Sequence, residues 1–191
     1  MTDLNPIIAD RFTEHLEVFG KTMEHMDTIQ EIAYRCKAAL ENGNKILFCG
    51  NGGSAADSQH LAAELICRFK KERRSLAGIA LTTDTSALTA IANDYDFEFV
   101  FARQVEGLGR TGDVLIGIST SGNSKNVVKA AEMARSIGMH TIAFTGEGGG
   151  KLGELCDITL AIPSNVTARI QEMHILAGHI TVSYTHLTLP T

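Results

Sequence analysis

The sequence predicts an α/β domain: a doubly wound, flavodoxin-like, five-stranded parallel sheet sandwiched by helices, preceded by two N-terminal helices. Three observations predict it. Five short apolar runs, rich in β-branched residues, fall at 45–49 (KILFC), 78–81 (GIAL), 113–119 (DVLIGIS), 140–144 (HTIAF) and 158–162 (ITLAI). Helix-like segments lie between most of them, and such alternation builds a parallel sheet whose faces are both covered by crossover helices. A length of 191 residues with 44% hydrophobic content is enough for one sizeable core, so a single domain over 1–180 is expected.

Ahead of the first strand, apolar residues recur at helical spacing, Ile8, Phe12, Leu16 and Phe19, then Met26, Ile29, Ile32 and Ala33. They read as two helices joined near Gly20. There is no internal repeat, low-complexity segment or proline-rich linker.

The formal charge of -5 argues against nucleic acid as a partner, because phosphate neutralisation needs a clustered basic surface. The one basic cluster, RFKKERR at 68–74, is either a solvated helix end or a set of cations that helps hold a phosphorylated ligand, across a subunit boundary in one version. Cys36, Cys49, Cys67 and Cys156 form no CxxC pair and sit mostly in apolar stretches, which suits buried free thiols in a reducing compartment. The N-terminus MTDLNPIIADRF lacks a signal-peptide core, and no apolar run approaches the roughly 20 residues that span a bilayer. A cytoplasmic protein with no membrane contact is expected.

In doubly wound sheets ligands bind beyond the carboxyl ends of the strands, and the loops there are unusual: CGNGGS, STSGNS and TGEGGG. The run DVLIGI leads through Ser119, Thr120, Ser121, Gly122, Asn123 and Ser124 into a helical pattern. Several hydroxyls and unbonded backbone N–H groups therefore meet at one helix start, which is an anion site if it is more than an ordinary Ser cap. In the first loop, Gly50, Gly52 and Gly53 let backbone approach a ligand closely, while Asn51 and Ser54 can bind sugar oxygens; a plain tight turn is the alternative. Neither loop is a Walker A or a GxGxxG motif, which sets nucleotides aside. Asn93 and Asp94 are either further hydroxyl ligands or a turn.

The helix opening near Ser54 carries His60 and Glu64 at i and i+4, on one face. Near the C-terminus Gln171 and His179 share one side of another helical pattern. Each pair alone fits a solvated surface. Together His60, Glu64, Gln171 and His179 offer two nitrogens and two oxygens, a set suited to one divalent ion, zinc before other first-row metals.

The segments GNGGSAADSQHLAAEL, LTTDTSALTAIANDY, GDVLIGISTSGNS and RIQEMHILAGHI resemble the phosphoheptose isomerase family of SIS-fold proteins, over nearly the whole chain to about residue 180. The resemblance implies conversion of D-sedoheptulose 7-phosphate to D-glycero-D-manno-heptose 7-phosphate, the first step toward nucleotide-activated heptoses of lipopolysaccharide and other surface glycans. It implies Glu64 as the base that carries a proton between C1 and C2, and His179 as the partner acid. It implies substrate contacts from Asn51, Gly52, Gly53, Ser54, Glu64, Asn93, Asp94, Ser119, Thr120, Ser121, Ser124 and Gln171, and a homotetramer with sites between subunits. Two rivals are an SIS regulator that binds a replication initiator, which lacks the Glu and terminal His present here, and an SIS isomerase of another sugar phosphate. The family pattern continues helically past the last histidine, whereas Val182 to Thr191 shows no helical apolar pattern. That string reads as a translated transposon-derived sequencing adaptor, so foreign sequence is expected over 181–191.

Overall fold

The computed structural model describes residues 4–67 and 73–188. All five apolar runs form strands, β1 (Ile46–Gly50), β2 (Gly78–Ala80), β3 (Val114–Ser119), β4 (His140–Thr145) and β5 (Ile158–Ala161), in one parallel sheet ordered β2-β1-β3-β4-β5. The helices are α1 (Asn5–Thr22), α2 (Met26–Glu41), α3 (Gly53–Ile66), α4 (Thr85–Asp94), α5 (Ala102–Leu108), α6 (Lys125–Ile137), α7 (Gly150–Leu155) and α8 (Thr167–Thr188). Because strand side chains alternate, Ile46, Phe48, Ile116 and Phe144 meet α2, α3 and α8 in one core, while Leu47, Cys49, Leu115 and Ala143 meet α5, α6 and α7 in the other. Burial on both faces is why each strand reads as an unbroken apolar run. The chain turns one way from β1 to β2 and the other way from β3 onward, so a crevice opens at the carboxyl ends of β1 and β3.

Two expectations are corrected at the ends of the chain. The N-terminal helices are not parted at Gly20, which lies inside α1 in open space, but by a 3₁₀ turn over Met23–His25. A single glycine in a helix interior costs only about 1 kcal/mol, too little to end a helix that packs elsewhere. At the other end, helical order does not fail after Ile180: α8 runs to Thr188, with Val182 and Thr185 buried against the sheet. Burial overrides the modest helix propensity of β-branched residues, and Thr185 turns its hydroxyl back onto the Val182 carbonyl at 2.8 Å. Part of RFKKERR lies outside the described residues, but Arg73 donates to the Glu64 carbonyl and Ser75 to that of Ile66, closing the last turn of α3. Of the cysteines, Cys36 and Cys49 are buried as expected, Cys156 is half-buried and Cys67 is exposed.

Thr181 lines a small void with Leu61, Leu65, Ile116 and Phe144, and its buried hydroxyl bonds no protein group. Replacing Thr181 with valine should therefore stabilise the fold by about 1 kcal/mol, since an unpaired buried hydroxyl is worse than a methyl of the same shape. Thermal denaturation reads this as a rise of a few degrees; a fall would show that the hydroxyl is satisfied.

His174, only 1% exposed, ties α8 to the sheet by donating Nε2–H to the Thr145 carbonyl at 3.0 Å. Burial pushes its pKa down to about 4 from an ordinary value near 6.5. The unfolded chain thus binds a proton that the folded one refuses, so this residue's contribution is intact above about pH 6.5 and shrinks as the pH falls toward 4. Chemical denaturation at stepped pH should show a loss of up to about 3 kcal/mol across that window. His174→Gln should flatten that slope; an unchanged slope would place the acid sensitivity elsewhere.

Candidate active site

At the end of β3 the hydroxyls bond one another rather than the helix they precede. Ser119 Oγ donates to Ser124 Oγ at 2.9 Å and lies 3.5 Å from Ser121 Oγ, while Ser124, the residue before α6, makes no side-chain cap. Ser121 Oγ accepts the Asn123 N–H and Ser119 Oγ the Ser124 N–H, but Ser124 puts no side-chain cap on α6, whose amino end faces the loop. Gly122 holds φ at +64°, and a Cβ there would stand 2.6 Å from the carbonyl carbon of Gly149, so no larger residue fits where the β3 and β4 loops touch. Beside them Thr120 and Ser121 line a polar cleft of about 260 Å³ with Glu147, Ser164, Asn165, Thr167 and Ile170.

Across the crevice, Asn51 of the glycine loop and Asn126 of α6 exchange two amide hydrogen bonds, 2.9 and 2.8 Å long. This pair clasps the β1 loop to the β3 loop. Ser54 is buried at the start of α3, where Gly52 precedes the helix with φ at +55°.

Helix α3 then runs alongside α8 in the same direction. A Cβ on Gly53 would come within 2.9 Å of the Gln171 amide carbon, and one on Gly178 within 2.6 Å of the Leu61 methyls, so these two glycines set how closely the helices approach. The approach brings His60 Nε2 to 2.9 Å from His179 Nε2, with the rings edge to face, and Glu64 Oε1 lies 3.6 Å from the same His60 nitrogen. His60 Nε2 is thus the common neighbour of Glu64 and His179, and one small molecule can touch both. Glu64 is mostly covered at 20% side-chain exposure while His60 is open at 51%, so the carboxylate sits deeper than the ring.

The residues singled out in the sequence are not all gathered. Asn93 donates to Asp94 at 2.8 Å on the exposed end of α4, and among the described residues neither is hydrogen-bonded to α3, α8 or the hydroxyl loop. Among the described residues, too, no three His, Cys, Asp or Glu side chains are gathered tightly enough to form a metal site by themselves. What stands at the helix pair is two close imidazoles with one carboxylate at their side, while the Gln171 amide lies against Gly53, about two helical turns before His179 on α8. Sequence reasoning missed Asn126, Ser164, Asn165 and Thr167. Asn126 left a faint signal, a polar residue on the apolar face of a helix that begins at the hydroxyl loop; Ser164 and Asn165 sit in the loop after β5 and Thr167 opens α8, and only the fold brings them to Thr120.

Residues 10–146 match the SIS domain family, so the class of protein is an SIS-domain α/β sandwich. The chain is 65% identical over 173 residues to the phosphoheptose isomerase of Campylobacter jejuni subsp. jejuni serotype O:6, an alignment covering 91% of this chain and 93% of that relative. Among solved structures it is similar to phosphoheptose isomerases from Neisseria gonorrhoeae, with a TM-score of 0.92 and 46% identity over 97% of this chain and 100% of the other, and from Francisella tularensis, with a TM-score of 0.94 and 38% identity over 98% and 100%. The chain belongs to the phosphoheptose isomerase family and is an isomerase. Among the described residues no helix is long and apolar enough to cross a membrane.

Proposed function

We propose that the chain converts D-sedoheptulose 7-phosphate to D-glycero-D-manno-heptose 7-phosphate by moving a proton between C1 and C2 through an enediol, the step that supplies nucleotide-activated heptose synthesis. The observation that carries this reading is the meeting of Glu64, His60 and His179 where α3 passes α8, beside a hydroxyl loop at a helix start. Glu64 takes the C1 proton while the C2 carbonyl oxygen receives one from His179, giving the enediol; Glu64 then returns its proton to C2 as the C1 hydroxyl gives its proton back to His179. A carbon-bound proton next to a carbonyl is too weakly acidic for water to remove quickly, and a positioned base and acid contribute about 10²–10⁴-fold each. Ser119, Thr120, Ser121 and Ser124 bind the phosphate in this reading. Asn51, Gly52, Gly53, Ser54 and Gln171 contact the sugar, with Asn93 and Asp94 reached only at its exposed end.

One divalent ion, zinc foremost, belongs to the same reading, held by His60, Glu64, Gln171 and His179. Its support is the donor spacing: 2.9 Å between the two ring nitrogens and 3.6 Å from His60 to Glu64 bracket the separation of about 3.3 Å between neighbouring ligands of a tetrahedral ion. When bound, such an ion stabilises negative charge on the enediol oxygens. A ligated carboxylate would be a weaker base, so with an ion bound Glu64 would act as ligand and as base at different moments. Purified protein incubated with sedoheptulose 7-phosphate should form the aldose, lose activity in chelator and regain it with zinc. Absence of aldose under every condition would reject the reaction, and full activity in chelator would reject the ion.

A homotetramer with sites between subunits completes the reading. Its support is an apolar stripe along α1, with Phe12 and Leu16 exposed at 67% and 65% and Leu4, Ile7 and Ile8 beside them, a face that a second copy of the chain would cover. Light scattering on the purified protein decides it, a monomer being the contrary result. Cytoplasmic residence fits the free thiols of Cys36 and Cys49, and export in fractionated cells would contradict it.

A further inference from the structure

The reaction as described leaves Asp57 without a part. On α3 the side turned to α8 carries Gly53 against Gln171 and His60 against His179, with Glu64 one turn on. Asp57 comes four residues after Gly53 and three before His60, which puts it on that same side. Its Oδ2 is buried and bonds no protein group, although a buried acceptor left unpaired destabilises a fold. Burial raises the carboxyl above its ordinary pKa while the charge of His60 draws it back, so the two side chains lie within electrostatic reach. On His60, Nε2 faces His179 and Glu64, and among the described residues no protein group bonds Nδ1. An acceptor without a donor and a ring nitrogen without a partner thus stand one turn apart on one helix face.

We infer that Asp57 is a positioning residue, which accepts the Nδ1–H of His60 and so fixes the tautomer whose Nε2 lone pair points at the reaction centre. A neutral imidazole carries one proton on either nitrogen, and the group bonded to the second nitrogen selects which. With nothing at Nδ1, His60 would turn an N–H toward His179 and the substrate in a large share of molecules, blocking that lone pair. A carboxylate behind a histidine is also the usual way in which a ring is held and made more basic toward a cation. The benefit to turnover rests on the proposed isomerase reaction; the tautomer does not.

The test is nitrogen NMR of histidine-labelled protein at about pH 8, where imidazoles are neutral, on wild type, Asp57→Ala and Asp57→Asn. His60 in the wild type should carry its proton on Nδ1. The alanine variant should shift the tautomer ratio toward Nε2–H by about tenfold, and weaken zinc binding in calorimetry by about 10–100-fold. The asparagine variant, which keeps an acceptor oxygen and the side-chain shape, should retain the wild-type tautomer. A wild-type His60 protonated on Nε2 overturns the inference whatever the variants do, and so does an unchanged ratio in a folded alanine variant. A wild type that holds the Nδ1 proton but forms no aldose would instead reject the reaction and leave the role of Asp57 standing.

Discussion

Glu64→Gln is expected to lower turnover by about 10²–10⁴-fold while KM for sedoheptulose 7-phosphate stays within a few-fold. Glutamine keeps the length and the oxygen of the side chain, so the covered site beside His60 is filled as before. What disappears is the ability to accept a proton from carbon, which matters only as the enediol forms. An interaction made only in the transition state shows itself as a fall in kcat, whereas one shared with bound substrate would raise KM. Stopped assays following aldose formation at several substrate concentrations separate the two. Undiminished turnover would remove Glu64 from the base role, and a large rise in KM with unchanged kcat would make it a binding residue.

His179→Asn carries the second large effect, a loss of about 10²–10⁴-fold in kcat through the missing acid. The ring now lies 2.9 Å from His60, so its removal also deprives the centre of one of two imidazoles. Zinc binding followed by calorimetry should weaken in the same variant. Asparagine is smaller and polar, and His179 is only half-buried, so the fold should tolerate the change, as circular dichroism would confirm. An active His179→Asn enzyme would mean that the oxygens exchange their protons with water or another group.

The fold was legible because each strand is buried on both faces. Leu47 and Cys49 serve one core while Ile46 and Phe48 serve the other, so the β1 segment shows no polar alternation and stands out against the helices around it. The ends were less legible for a related reason. Gly20 and the threonines after Ile180 are local signals of a break, and neither outweighs packing: Thr185 is fully buried and helical. At the site, the pairing of His60 with Glu64 could be read from i, i+4 spacing, and the hydroxyl loop from its composition. The meeting of His60 with His179, 119 residues away, followed only from grouping their donors into one ligand set and not from any spacing, because it depends on α3 and α8 running side by side at a distance set by Gly53 and Gly178. Asp57 stayed unnoticed since a lone aspartate on a helix is ordinarily solvated, and only the fold reveals that one of its oxygens is shut away.

The claim on which the rest depends is spatial: a carboxylate from α3 and an imidazole from α8 address the same two carbons of a sugar whose phosphate rests on the loop after β3. A crystal structure of the Glu64→Gln variant soaked with sedoheptulose 7-phosphate tests it most directly. The expected result has C1 and C2 between residue 64 and His179, with the phosphate among Ser119, Thr120, Ser121 and Ser124. A sugar bound with C1 and C2 away from both side chains, or with its phosphate elsewhere, would contradict it.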